Sequence, residues 1–235
     1  NNIIILCVDK MVNLHSNNGI SFNNKHNPLI FNTMHDIEPY YSWRDYYISS
    51  EDEKSPYFHH ESNEFFFTNK IYNHYIHPQW DHFGSSTLYL KILYADYEEG
   101  FLILELIGEW NDALHNDIME FKRSIIDHFI NHKIYKFIII GEQVLNYHSS
   151  DDCYYEEWYE DIADEVGWTV FLGLSKHVIE EMDHIRLYQY ILYGNHWNEL
   201  NWRAFTPIQL YLLIDKMIEN PKLLSEPTHH IKKIK

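Results

Sequence analysis

The chain has 235 residues, 45% of them hydrophobic and 17% aromatic, which is enough to bury one sizeable core with extensions. Its 18 basic and 35 acidic residues give a formal charge of −17, which repels nucleic acid and anionic lipid. Two cysteines form neither a disulfide framework nor a metal quartet, and no apolar run approaches the roughly 20 residues of a membrane span. We therefore expect a soluble, cytoplasmic protein that neither binds nucleic acid nor inserts into a membrane.

The first two zones of the chain differ in amino-acid composition. Residues 1–33 are rich in asparagine and show no sustained period of 2 or 3.6, so we expect a poorly ordered extension. Met11 and Met34 are both candidate translation starts. Residues 34–87 are dense in aromatic and acidic side chains, and prolines interrupt regular structure there. We expect an aromatic-rich N-terminal arm that lies over the domain surface and includes a first strand region.

The next stretch, "STLYLKILYADYEEGFLILELIGEW", predicts two long strands joined by a hairpin at Glu98-Glu99-Gly100, because glycine tolerates the positive φ of tight turns. A helix follows in "NDALHNDIMEFKRSIIDHFINHK", with Asn111 or Asp112 available as its N-cap. Its predicted apolar stripe consists of Leu114, Ile118, Phe121, Ile125 and Phe129.

Strands and helices then alternate. The runs "KFIIIG" and "WTVFLGL" predict buried strands, each followed by an amphipathic helix, and the second helix runs from a cap at Ser175 to Gly194. The order β-β-α-β-α-β-α predicts an α/β fold, a mixed sheet packed with helices, over residues 88–193. Its predicted core includes Leu104, Leu106, Ile138, Ile139, Val170 and Leu172.

Residues 194–235 form the last zone. Thr206-Pro207-Ile208-Gln209 is a capping box with proline at the first helical position, which predicts a C-terminal helix that stops before Pro221. A basic tail, "IKKIK", ends the chain.

From about Leu88 to Ile191 the sequence resembles a STAS domain, the fold of bacterial anti-sigma-factor antagonists and of regulatory domains in anion transporters. The stretch "LILELIGEWNDALHNDIMEFKRSII" is similar to the family's second strand, turn and first helix. The stretch "KFIIIGEQVLNYHSSDD" resembles its next strand and Asp-Ser-Ser-Gly loop, where Ser149 and Ser150 match the two serines. The stretch "GWTVFLGLSKHVIEEMDHIRL" is similar to the following strand and third helix.

The resemblance implies a regulatory role for the serine loop. In antagonists of this family a partner kinase phosphorylates the first serine, which corresponds to Ser149, and this turns partner binding off. Here His148 replaces the family's aspartate and Asp151 its glycine, so we expect a protein-binding surface that has lost the phosphorylation cycle. The expected regulatory residues are Ser149 and Ser150, and the expected contact residues are His148, Asp151, Tyr154, Tyr155 and Trp158.

Two other interpretations of the serines stay open. Either serine suits the N-cap of the acidic helix that follows, because its side-chain oxygen can accept a bond from a helical N–H. A serine nucleophile is less favoured, because the stretch lacks the G-x-S-x-G elbow and no base is identified.

Seventeen histidines raise the question of a metal site. The weak candidate ligands are His74, His77 and His82, with Asp81 between them, and His128 and His132, one helical turn apart. Pro78 disfavours helical geometry for His77, and Glu181 with His184 forms one E-x-x-H motif where di-iron bundles need two. We expect no metal site.

The sequence contains no phosphate loop, dinucleotide fingerprint, H-E-x-x-H or Cys-x-x-Cys motif, so we expect no cofactor. We expect most of its 39 aromatic residues to pack in the core and the arm, and some to remain near the surface, where rings are enriched in protein contacts. The favoured function is a non-catalytic regulatory module with a protein partner and an undetermined oligomeric state. The alternatives are a small metal- or histidine-dependent enzyme that uses the His74–His82 region, or a structural subunit of a larger assembly.

Overall fold

A mixed sheet forms the centre of the protein, and the predicted α/β fold class is confirmed. The computed structural model describes residues 37–61, 65–72 and 74–220, which belong to one unit, Met34–Lys235. Within these residues a short ribbon pairs β1 (Lys70–Ile71) with β2 (His74–Tyr75). The main sheet has four strands in chain order, β3 (Leu88–Asp96), β4 (Phe101–Asn111), β5 (Lys136–His148) and β6 (Trp168–Leu172).

Strands β3 and β4 form the predicted hairpin, and β4, β5 and β6 run parallel. The carboxylate of Asp96 accepts hydrogen bonds from the backbone N–H groups of Glu98 and Glu99, and Gly100 adopts a φ of 71° in the turn. All six residues predicted to be buried in the sheet are fully inaccessible to solvent. The apolar strand pattern therefore predicted the core correctly.

Four helical segments follow the parallel strands on one face of the sheet. They are α1 (Asp112–His115), α2 (Asp117–Phe121, continued by a π-helical turn Lys122–Ile126 and by Asp127–Asn131), α3 (Cys153–Ala163) and α4 (Lys176–His184). Their apolar sides pack into one core cluster with strands β3 to β6. The helix side of that cluster consists of Ile118, Phe121, Ile125, Ile126, Phe129, Tyr155, Trp158, Ile162, Val178 and Met182.

The opposite face of the sheet is covered by α5 (Asn195–Glu199), α6 (Pro207–Glu219) and part of the N-terminal arm. The ring of Tyr211 stacks on that of Phe101, with centroids 4.2 Å apart. From the arm, the buried Trp43 donates its indole N–H to the carbonyl of Phe205. The predicted capping box at Thr206 opens α6, which ends at Glu219.

Two helix predictions were wrong. The stripe predicted to start at Leu114 starts at Ile118 instead, because Asn116 has left-handed backbone angles that separate α1 from α2 and leave Leu114 79% exposed. The helix predicted to reach Gly194 ends at His184, because Arg186 turns left-handed, with a φ of 61°. The predicted cap at Asn111 is confirmed, since its side chain accepts from the N–H of Leu114.

Each outer strand of the sheet carries one further backbone pairing. Asp81 and Leu90 exchange two backbone hydrogen bonds, at 2.7 and 3.0 Å, on the outer side of β3. Leu192 bonds to the backbone of Thr169 and Phe171 on the outer side of β6. Both edges are therefore partly covered by other segments of the same chain.

None of the helices in the described part of the chain is long and apolar enough to cross a membrane. The expectations for residues 1–33 and for the basic tail lie outside the described residues.

Candidate functional site

The serine loop, defined as residues 149–152, joins the end of β5 to the start of α3. It lies at the carboxyl end of a parallel strand, the edge at which α/β sheets most often place functional residues. Ser150 and Asp151 are exposed, as is His148 before them, while Ser149 and Asp152 are half-buried. The chain therefore presents several polar side chains from a fixed loop.

The Ser149 hydroxyl donates a hydrogen bond to Oε1 of Glu181, at 2.6 Å, and so ties the loop to α4. The interpretation of either serine as the N-cap was wrong, because Asp152 holds that position and no side chain caps the helix there. Asp151 instead accepts hydrogen bonds from the thiol and backbone N–H of Cys153, which lower the pKa of its carboxyl. The Asp151 side chain forms the local turn by accepting a hydrogen bond from the backbone two residues on, and neither serine is needed as a cap.

His148 turns away from the serines. Its Nε2 lies 2.6 Å from Oε1 of Glu109, on the neighbouring strand β4. The hydroxyl of Ser149 points to α4 instead. The two side chains are thus adjacent in sequence but engaged with different elements, which is not the serine and base geometry of a nucleophile.

A buried polar network lies beneath the loop and centres on Asp112. One carboxylate oxygen accepts from the indole N–H of Trp110 and from the backbone N–H of Ile118, both at 2.8 Å. The other accepts from the hydroxyls of Tyr155, at 2.8 Å, and Tyr147, at 3.1 Å. Burial raises the pKa of Asp112 and the four donors lower it, and the net result is a pKa of about 6. The network joins α1, β5 and α3 at the base of the loop.

For two of the expected contact residues the prediction was wrong. Tyr155 is fully buried and Trp158 is 1% exposed, so neither side chain can reach a partner. Tyr155, Trp158 and Ile162 recur at steps of 3 and 4, the spacing of a core-facing helix stripe, and this signal in the sequence identifies them as core residues. Tyr154, one residue away, is half-buried: its ring packs against the edge of the core cluster, and the guanidinium of Arg123 lies 5.7 Å from the ring centroid.

Helix α3 is held to α2 by a buried lysine. The Lys122 ammonium is inaccessible to solvent and lies 2.6 Å from carboxylate oxygens of Asp127 and Asp161 and 3.2 Å from one of Glu157. Burial lowers the pKa of Lys122, but the three carboxylates raise it by more, so the pKa lies above its ordinary value. Arg123 adds a two-pronged bond to Glu157. The outer face of α3 is therefore positioned by charged contacts as well as by its core side.

The candidate metal ligands are spread apart or engaged elsewhere. His77 is buried and its Nδ1 accepts from the N–H of Gln79, while Nδ1 of His82 accepts from that of Gly84. The rings of His128 and His132 are tilted to each other with centroids 4.7 Å apart, and His132 Nδ1 lies 2.8 Å from the carbonyl of His128. His74 lies in β2. Among the described residues, no group of three or more His, Cys, Asp or Glu side chains is arranged to hold a metal ion.

No protein-family model and no curated protein matches the chain. Solved structures of anti-sigma factor antagonists are similar to it. The unphosphorylated form of SpoIIAA has a TM-score of 0.39 and 13% identity over 55% of this chain and 96% of that one. The phosphorylated form of the Bacillus cell fate determinant SpoIIAA has a TM-score of 0.34 and 13% identity, over 46% and 92%. A Thermotoga maritima protein assigned as an anti-sigma factor antagonist has a TM-score of 0.35 and 14% identity, over 46% and 87%.

Likenesses with scores this low assign no function to individual residues.

Proposed function

We propose that this chain is a non-catalytic, protein-binding regulatory module of the cytoplasm whose contact surface is the serine loop with the outer side of α3. The surface comprises His148, Ser149, Ser150, Asp151 and Tyr154. The observation that carries the proposal is the 2.6 Å hydrogen bond from Ser149 to Glu181, because it gives the loop a fixed shape without any modification. The buried network around Asp112 supports the loop from beneath.

The same hydrogen bond argues against a phosphorylation cycle at Ser149. A phosphoryl group adds a charge of about −1.5 to −2 to the atom that now contacts a carboxylate. At about 5 Å and an effective dielectric constant of roughly 20, each added unit charge is repelled by that carboxylate by about 3 kcal/mol. Within the described residues, neither Glu181 nor Asp151 has a lysine or arginine partner that would offset the repulsion. The loop therefore favours the hydroxyl over its phosphate.

Mass analysis tests the loss of the cycle. Protein purified from its own cells under several growth conditions should carry no phosphate at Ser149. A phosphate localised to Ser149 by fragmentation would overturn this part of the proposal and restore the switch. A Glu181→Gln variant provides the matched control, because it keeps a hydrogen-bond acceptor for the serine but removes the repelling charge.

A pair of charge reversals tests the contact surface. Asp151→Lys changes the serine loop, whereas Glu199→Lys makes the same change at an exposed position of α5, on the opposite face of the sheet. The full chain should co-purify a partner of fixed stoichiometry from its host, and Asp151→Lys should remove that partner while Glu199→Lys retains it. Equal retention by both variants, at unchanged melting temperatures, would contradict the assignment of this surface.

A further inference from the structure

A cavity of about 190 Å³ lies between the N-terminal arm and the edge of the sheet, away from the serine loop. The arm contributes Trp43, Arg44 and Tyr57, and strand β3 contributes Lys91 and Leu93. The indole of Trp43, the ring of Tyr57 and the side chain of Leu93 are buried and form the apolar part of the wall, while charged and polar side chains form the rest. An apolar cavity with a few convergent polar groups is the usual form of a small-molecule site.

The charges in this cavity leave one cation without a counter-ion. Asp81 is 1% exposed, and its Oδ2 lies 2.9 Å from the ammonium of Lys91, so these two charges offset each other. The guanidinium of Arg44 donates to the amide oxygen of Gln79, which is neutral. Among the described residues, no carboxylate lies within ion-pair distance of Arg44. Arg44 is exposed, so its guanidinium is accessible to a ligand that enters from solvent.

The surroundings of Arg44 also decide on which side an anion would sit. Arg44 lines the cavity and also a second, shallower cleft, to which Glu38 and His77 contribute. A carboxylate at Glu38 repels an anion in that cleft, whereas on the cavity side the charge of Asp81 is offset by its ion pair with Lys91. An anionic group would therefore bind on the cavity side.

The size of the cavity limits what else the ligand carries. A cavity of about 150 Å³ lined by apolar side chains accommodates benzene, and drug-sized ligands need roughly 300 Å³ or more. The volume here lies between these limits. We infer that the cavity binds a small organic carboxylate with a single ring, its carboxylate on Arg44 and its ring against Trp43 and Tyr57. Planar, two-pronged recognition of a carboxylate is what a guanidinium does best.

The test uses the full chain and benzoate as the probe, with benzamide as its neutral counterpart, in calorimetric or ligand-observed NMR titrations. Benzoate should bind at least tenfold more tightly than benzamide, because a hydrogen bond to a charged group exceeds a neutral one by about that factor. Arg44→Gln should weaken benzoate binding at least tenfold. Lys176→Gln, which removes the same charge from a residue exposed on α4, should leave it unchanged.

Equal binding of benzoate and benzamide, equal binding by Arg44→Gln and the wild type, or no binding of benzoate would each overturn the inference. Hydrogen exchange of the unaltered protein gives a second measurement, which does not depend on a variant that folds. Benzoate should slow exchange of the backbone amides of the segments 40–50 and 91–93, which contribute residues to the cavity lining. Unchanged exchange in both segments at saturating benzoate would also overturn it.

Discussion

Replacing the buried Glu105 with glutamine should stabilise the protein at neutral and alkaline pH. Glu105 lies in β4, is 2% exposed, and accepts a hydrogen bond from the backbone N–H of Tyr40 at 2.8 Å. Burial raises its pKa from 4.5 to about 7, against the lowering by the Tyr40 N–H and by Arg203. Glutamine keeps an oxygen that can accept the Tyr40 bond but carries no charge to bury.

The expected size of the effect follows from the pKa shift. Because the folded state holds the proton more tightly than the unfolded state, the carboxyl costs nothing below pH 4.5, and its cost grows as the pH rises to about 7. A rise of about 2.5 units corresponds to about 3 kcal/mol in the free energy of unfolding. The variant should therefore match the wild type near pH 4 and exceed it by about 3 kcal/mol at pH 8.

Urea unfolding followed by tryptophan fluorescence, at intervals from pH 4 to pH 8, measures this difference. Other buried carboxyls titrate in both proteins, so their effects cancel in the difference between the two curves. Glu199→Gln, at an exposed position, should give a flat difference. A difference that does not grow between pH 4.5 and pH 7, or a Glu105→Gln variant that is less stable at pH 8, would refute the reasoning.

Three further perturbations test other parts of the structure. Asp112→Ala removes the acceptor of two buried N–H donors and two hydroxyls, so we expect a loss of at least about 3 kcal/mol in urea unfolding; a loss below about 1 kcal/mol would contradict the network. Ser149→Ala loses its half-buried bond to Glu181 and should cost about 1 kcal/mol, whereas the exposed Ser150→Ala should cost less than about 0.5 kcal/mol. Deletion of residues 1–33 should leave the melting temperature nearly unchanged in calorimetry, and a drop of several degrees would mean that they pack into the domain.

The sheet could be predicted from sequence because its signals are local. Continuous apolar runs mark β5 and β6, and the Glu98-Glu99-Gly100 turn fixes the hairpin before β4. The helix interruptions that depend on the backbone angles of a single residue were not predicted. Asparagine and arginine can each continue a helix or turn left-handed, so nothing local announced the breaks at Asn116 and Arg186.

The serine loop was located correctly from the sequence, but its contacts were not predicted. Ser149 and Glu181 lie 32 positions apart, with helix α3 and strand β6 between them, so no periodic pattern relates them. The four donors to Asp112 likewise come from four separate elements, β4, α2, β5 and α3. The burial of Trp158 could have been predicted from the sequence. Its spacing from Tyr155 is that of a core-facing helix stripe, and this pattern is a stronger signal than the general enrichment of aromatic rings at interfaces.

The pairings of Asp81 with Leu90 and of Leu192 with Thr169 and Phe171 have a consequence for assembly. An exposed sheet edge is a template on which a second chain can add a strand through backbone bonds that carry little sequence information. Here such an addition at these points would first have to displace a segment of the chain itself. At these points a protein partner of the kind proposed above would have to be recognised through side chains, so single substitutions on the surface could change its affinity without disturbing the sheet.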